Sequence, residues 1–131
     1  MRFESLLPLI GVVALAASSC APFVERVEMA KVPPQEAQAA LNVRLFPVGT
    51  NYPEIVRTIG AITAYSCKNK MWDKPASSGD AFAQLRLKAL RAGANAVIDV
   101  TTDTRGTDTW GTNCWETVQA SGTAVVIQTT K

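Results

Sequence analysis

Histidine is absent from this sequence of 131 residues. Its absence removes the commonest general base and the commonest transition-metal ligand. Charge is sparse and nearly balanced, with 13 Lys and Arg against 11 Asp and Glu. With no basic run, nothing in the chain offers a footing for nucleic acid or a polybasic membrane contact. No Cys-x-x-Cys, Gly-rich phosphate loop, Ser-nucleophile motif or pair of carboxylates stands out. The chain therefore reads as a non-enzyme without a cofactor, and no catalytic or metal-ligating residue is assigned. The length suits one domain and leaves no room for a second.

Long apolar runs are also lacking, apart from Leu6 to Ala17. That stretch is shorter than the about 20 residues that span a bilayer, and Pro8 and Gly11 interrupt it. A charged head at Arg2, an apolar middle and small residues at Ser18 and Ser19 form the grammar of a secretory signal. Cys20 follows directly, which gives residues 1–19 the look of a lipoprotein signal peptide and makes Cys20 the expected lipidation site. Two other readings remain. One is an ordinary cleavage after Ala14-Leu15-Ala16, and the other an uncleaved anchor from Leu6 to Val24.

The three cysteines bear on the choice, because an exported chain with an odd count has one thiol to explain. If Cys20 carries lipid, Cys67 and Cys114 remain as a pair, and in an exported domain such a pair is by default a disulfide. It would close a loop of about 48 residues and, by chain entropy, stabilise by up to about 4 kcal/mol. A redox-active or metal-binding role for the pair has little behind it without a Cys-x-x-Cys spacing or histidine.

Residues 20–42 read as the lipidated N-terminus and a tether. Pro33-Pro34 blocks a continuous helix, with room for a short one from Gln35 to Leu41. The folded domain is expected over residues 43–131. Val43 to Phe46 and Ile55 to Tyr65 suit strands, with Gly60 at a bulge. The clearest helix runs from Asp80 to Ala92. Ser77 caps it, Phe82, Leu85, Ala89 and Ala92 form its apolar stripe, Leu87 and Leu90 widen that stripe, and Gly93 stops it. Ala96 to Val100 follows as a central strand, and Thr101 to Asn113 as loop. Cys114 to Ala120 and Thr123 to Gln128 form a strand pair, or one strand broken at Ser121-Gly122. The fold class is α+β: a small single domain with a sheet of three or four strands, one main helix and one disulfide.

With these landmarks placed, the chain resembles the RcsF family of outer-membrane stress-sensing lipoproteins. The resemblance is carried by Val43-Arg-Leu-Phe, Ile59-Gly60, Ser66-Cys67, Ala94-Asn-Ala-Val97, Cys114-Trp115 and Gly122-Thr-Ala-Val125. Ala-Asn-Ala-Val after such a helix also occurs in small modules described as heavy-metal-binding-like. The RcsF resemblance implies an outer-membrane, lipid-anchored protein facing the periplasm or partly surface-exposed. It would meet β-barrel or assembly proteins and an inner-membrane regulator. Cys67 and Cys114 match one of that family's two disulfides, while Thr102 and Ala120 stand where the other would be. Ala21, in place of an Asp after Cys20, also resembles the outer-membrane class. The function implied is envelope-stress sensing. The alternatives are an accessory envelope lipoprotein that does not signal, and an oligomeric module that binds a small ligand or metal.

Among single residues, Trp72 and Trp110 lie in loops and are the candidate interaction anchors. Trp115 is expected to pack against the bridge or the helix. Asp99 is expected on the solvent side of its strand. Thr101-Thr-Asp-Thr lacks the oxygen ladder of a calcium loop and reads as a polar loop.

Overall fold

The computed structural model describes residues 24–107 and 111–129. A single turn of 3₁₀ helix at Met29–Lys31 opens the described chain. It is followed by α1 (Pro34–Leu41), β1 (Arg44–Pro47), β2 (Ile55–Lys68), α2 (Ser78–Arg91), β3 (Ala96–Arg105) and β4 (Glu116–Ile127). The four strands form one mixed sheet in the order β1-β3-β4-β2. β1 runs parallel to β3, and β4 lies antiparallel to both β3 and β2. This is the α+β domain with one disulfide that the sequence implied, together with the short helix for which it left room.

α2 begins where its cap requires. The Ser77 hydroxyl accepts a hydrogen bond from the Asp80 N–H at 3.1 Å, satisfying one of the donors the first turn leaves open. It ends at Gly93, whose φ of +88° a side chain would resist, and the Ala94 N–H returns to the Ala89 carbonyl. Leu85 and Ala89 are completely buried on the sheet, with Val97, Val118, Ala120 and Ala124 around them. Leu87 points to another side of the helix and is just as buried, under Val32 and Ala40. Burying one such leucine stabilises by about 1.5–3 kcal/mol. α2 is therefore packed on two faces, which is why its apolar stripe is wider than a single sheet contact needs.

That second face changes the reading of the N-terminal segment. The helix anticipated at Gln35–Leu41 is present as α1, but the segment does not hang free as a tether. The Val27 N–H donates to Gln84 Oε1 at 3.0 Å, and Gln84 Nε2 donates back to the Val27 carbonyl at 2.6 Å. Arg91 pairs with Glu36 at 2.6 Å. Folded structure thus starts before Val43, because Leu87, Leu90 and the buried Gln84 need a cover.

Two irregularities shape the sheet. Gly60 sits at a register shift in β2, as its position in the strand suggested. In β3 the register shifts between Ile98 and Thr101, where Asp99 takes a φ of +53° and faces solvent. Opposite this bulge lies Gly122, which does not break β4: the two expected strands are one. A Cβ on Gly122 would stand 2.6 Å from Val97 Cγ1 and 2.8 Å from the Ile98 carbonyl. The glycine is there for space. β3 also runs further than expected, through Thr101 to Arg105, although β1 accompanies it only as far as Val100. β4 supplies the ladder that turns this polar stretch into strand.

Candidate functional site

The sheet brings Cys67 and Cys114 together at the C-terminal end of β2. Cys67 lies within β2 opposite Thr117, and Cys114 just precedes β4. The two are joined as a disulfide with Cα atoms 5.6 Å apart, an ordinary span for such a bond. Both are buried. Around them the interior turns polar. Ser66, Asn69, Thr112 and Thr117 are all buried near this end. The Ser66 hydroxyl accepts from the Ser77 N–H at 3.1 Å, and the Thr112 and Thr117 hydroxyls meet at 3.2 Å. The Trp115 N–H donates to the Lys68 carbonyl at 2.6 Å, locking the strand ends beside the bridge.

A tight loop follows β2. The Asp73 carboxylate accepts from the backbone N–H groups of Asn69 and Lys70, each at 3.1 Å, and Lys68 Nζ donates to the Asp73 carbonyl at 2.7 Å. Burial pushes the Asp73 carboxyl up. The Asn69 N–H, the Arg26 charge, and the N–H and charge of Lys70 outweigh it, holding the group below the usual aspartate range. Arg26 reaches this corner from the N-terminal segment, donating to the Cys67 carbonyl and lying 3.9 Å from Asp73.

Between the N-terminal segment, this loop and the start of α2 runs a groove of about 650 Å³. Arg26, Met29, Cys67, Trp72, Lys74 and Asp80 are among its walls. Trp72 is 80% exposed and lies 5.8 Å from Lys70 Nζ. A smaller hollow of about 190 Å³ between β2 and α2 has no sulfur in its lining.

Trp72 is thus on the groove, whereas Trp110 and Cys20 lie outside the described residues. Trp115, next to the bridge in sequence, is 48% exposed, and so is only half covered by its surroundings. Asp103 is paired with Arg105 at 3.0 Å, which engages its carboxylate in the strand's own surface. Arg26 and Met29 were missed as groove residues, and so was Gln84, which holds the groove's N-terminal wall at Val27. The one signal for them was a glutamine at a position of α2 that turns out to be buried.

A family model described as "Putative heavy-metal-binding" matches residues 53–128, from just before β2 to the end of β4. The chain belongs to the YbjQ family. None of the curated proteins matches it. Among solved structures, it is similar to a DUF74-family protein of unknown function from Pediococcus pentosaceus, at 18% identity and a TM-score of 0.43. That likeness covers 64% of this chain and 96% of the other.

The YbjQ match overturns the RcsF-like reading, and with it the description as an outer-membrane stress-signalling lipoprotein. Most of the landmarks behind that reading lie within the matched region and have structural reasons. Gly60 marks a bulge, Ala94 to Val97 leads from the helix stop into the central strand, and Gly122 makes room for β3. Any domain of this shape has use for them, so their order speaks for fold before family.

The family's description invites a test of this chain's donors. Among the described residues, no three of His, Cys, Asp and Glu gather in one place. The two cysteines do meet, but a disulfide has neither of its thiolates left to offer. As oxidised, these side chains do not suit a heavy metal. As a free dithiol, Cys67 and Cys114 would be the soft donors that suit one.

Proposed function

We propose that this YbjQ-family chain is a binding module for a heavy-metal cation, not an enzyme, and that its site is the bridge end of the sheet. The family match over residues 53–128 carries the reading, because it encloses both cysteines and the strands that align them. The groove supports it by giving a small ligand a way to the Cys67 side of the bridge. Nothing in the groove resembles acid–base machinery: Asp73 is held ionised by its neighbours and is occupied by two backbone donors.

The test is direct uptake. The whole chain, oxidised and reduced in separate samples, is incubated with Cu(I) or Cd(II), desalted and assayed for bound metal. One ion per chain is expected in at least one state. Metal-free protein from every sample would end the metal-binding reading.

A further inference from the structure

We propose that the Cys67–Cys114 bridge is a redox gate: the oxidised chain is closed to heavy metal, and reduction opens a two-sulfur site for a soft cation such as Cu(I). The inference rests on the metal-binding reading above and adds to it the ligands, the metal class and the regulation.

The argument begins with which donors exist. Histidine is absent from the sequence, and the carboxylates of the described residues do not cluster with a cysteine in threes. Hard ions and four-coordinate Zn(II) therefore find too few ligands. Cu(I), a soft d¹⁰ ion, favours thiolate and thioether donors and needs fewer of them. Met29 lines the same groove as Cys67, which makes its thioether the candidate third sulfur.

The sheet, not the bond, keeps the two cysteines adjacent. β2 and β4 pair without a register shift from Gly60–Ala124 to Lys68–Glu116, and Trp115 is tied to Lys68 by the backbone. Breaking the S–S bond would leave that ladder in place, so the freed side chains remain close and need only rotate. The chemistry balances with a thiol as reductant. One thiolate attacks the Cys67 sulfur, forming a mixed disulfide and releasing Cys114 as a thiolate; a second thiolate attacks the reductant's sulfur and releases Cys67. The reductant leaves as its own disulfide and the protein holds two thiols, which give up their protons as the cation binds. Both cysteines are buried, but only Cys67 lines the groove, so a reductant entering there would reach Cys67 first once the N-terminal segment gives way.

The experiment uses the full chain carrying Cys20→Ser, which leaves the bridge cysteines as the only thiols to be counted. Oxidised protein and protein reduced with dithiothreitol, then desalted without oxygen, compete for Cu(I) against a chromophoric chelator. The reduced form should hold Cu(I) tighter by about a hundredfold or more, because only it supplies thiolates. Three further readouts accompany the competition: ultraviolet thiolate-to-copper absorption, protection of Cys67 and Cys114 from alkylation by mass spectrometry, and far-UV circular dichroism. Met29→Leu should weaken Cu(I) binding while leaving the bridge intact, and Zn(II) should compete poorly.

Equal uptake by oxidised and reduced chains overturns the gate but leaves metal binding standing. Uptake by the reduced chain with both thiols still open to alkylation overturns the assignment of the ligands. Uptake only by reduced protein that has lost its circular dichroism overturns the preformed site. No uptake in either state overturns the function itself.

Discussion

The two ends of β2 are held by different means. Toward the start and middle of the strand, Ile55, Ile59 and Ile62 pack into apolar clusters on the two faces of the sheet, against residues such as Leu85, Val97, Val125 and Ile127. At the far end, the interior contains Ser66, Asn69, Thr112 and Thr117, and a covalent bond stands where side-chain volume would otherwise serve. The difference teaches where to look for function. Apolar packing needs no chemistry of its own, whereas buried hydroxyls around two sulfurs, next to a groove, are an arrangement that stability alone does not call for.

Perturbations should separate the two ends. The largest effect belongs to the packed end. Leu85→Ala empties a fully buried position and should lower stability by about 2–5 kcal/mol, read as a shifted urea midpoint with unchanged cooperativity. Opening the bridge should come next, at no more than about 4 kcal/mol. The loss should be smaller if β2 and β4 stay in register, as the gate requires. Hydrogen exchange would show which: protection lost only around residues 66–70 and 112–117 sharpens the contrast between the ends, whereas protection lost at Val97 and Val125 breaks it. Gly122→Ala forces a methyl against Val97 and the Ile98 carbonyl, with an expected penalty of about 1–3 kcal/mol, visible in thermal melts.

The smallest effect is one of pH. The carboxyl of Asp73 is held low in the folded chain, so its contribution is present above the unfolded value of about 3.9 and is lost as acid takes the solution down through the folded value. Asp73→Asn should lower stability slightly near neutrality, where the ionised carboxylate contributes in full, and should flatten the fall in stability across that acid window. An acid profile identical to that of the original chain would remove Asp73 from the bridge-end loop's account.

Local chemistry made much of this readable from the chain. The Ser77 cap, the Gly93 stop, the Gly60 bulge and the pairing of Cys67 with Cys114 each depend on a few residues whose types permit little else. What escaped depends on partners distant in sequence. Thr101 to Arg105 is polar enough to pass for loop and becomes strand only because β4 runs beside it. Gly122 resembles a break until Val97 and Ile98 are seen pressing on it. Gln84 acquires its meaning from Val27, 57 positions away. The groove follows from that last contact, since its outer wall is the segment that the proline pair made to look detached.

The sheet's two rims carry one more consequence. β1 gives out at Pro47, so Thr101 to Thr104 has no strand on that side among the described residues, and β2 is the opposite rim. Bare rims invite strands from neighbouring molecules, and proteins that must stay dispersed obstruct them. Here the obstruction differs by side. On β2, Lys88 and Arg26 occupy the carbonyls of Thr63 and Cys67. On β3, the kink at Asp99 and the charges of Asp103 and Arg105 would have to be buried by any newcomer. Self-association through sheet extension is discouraged at both borders, which would keep separate copies from stacking if the sulfur bridge were opened as proposed.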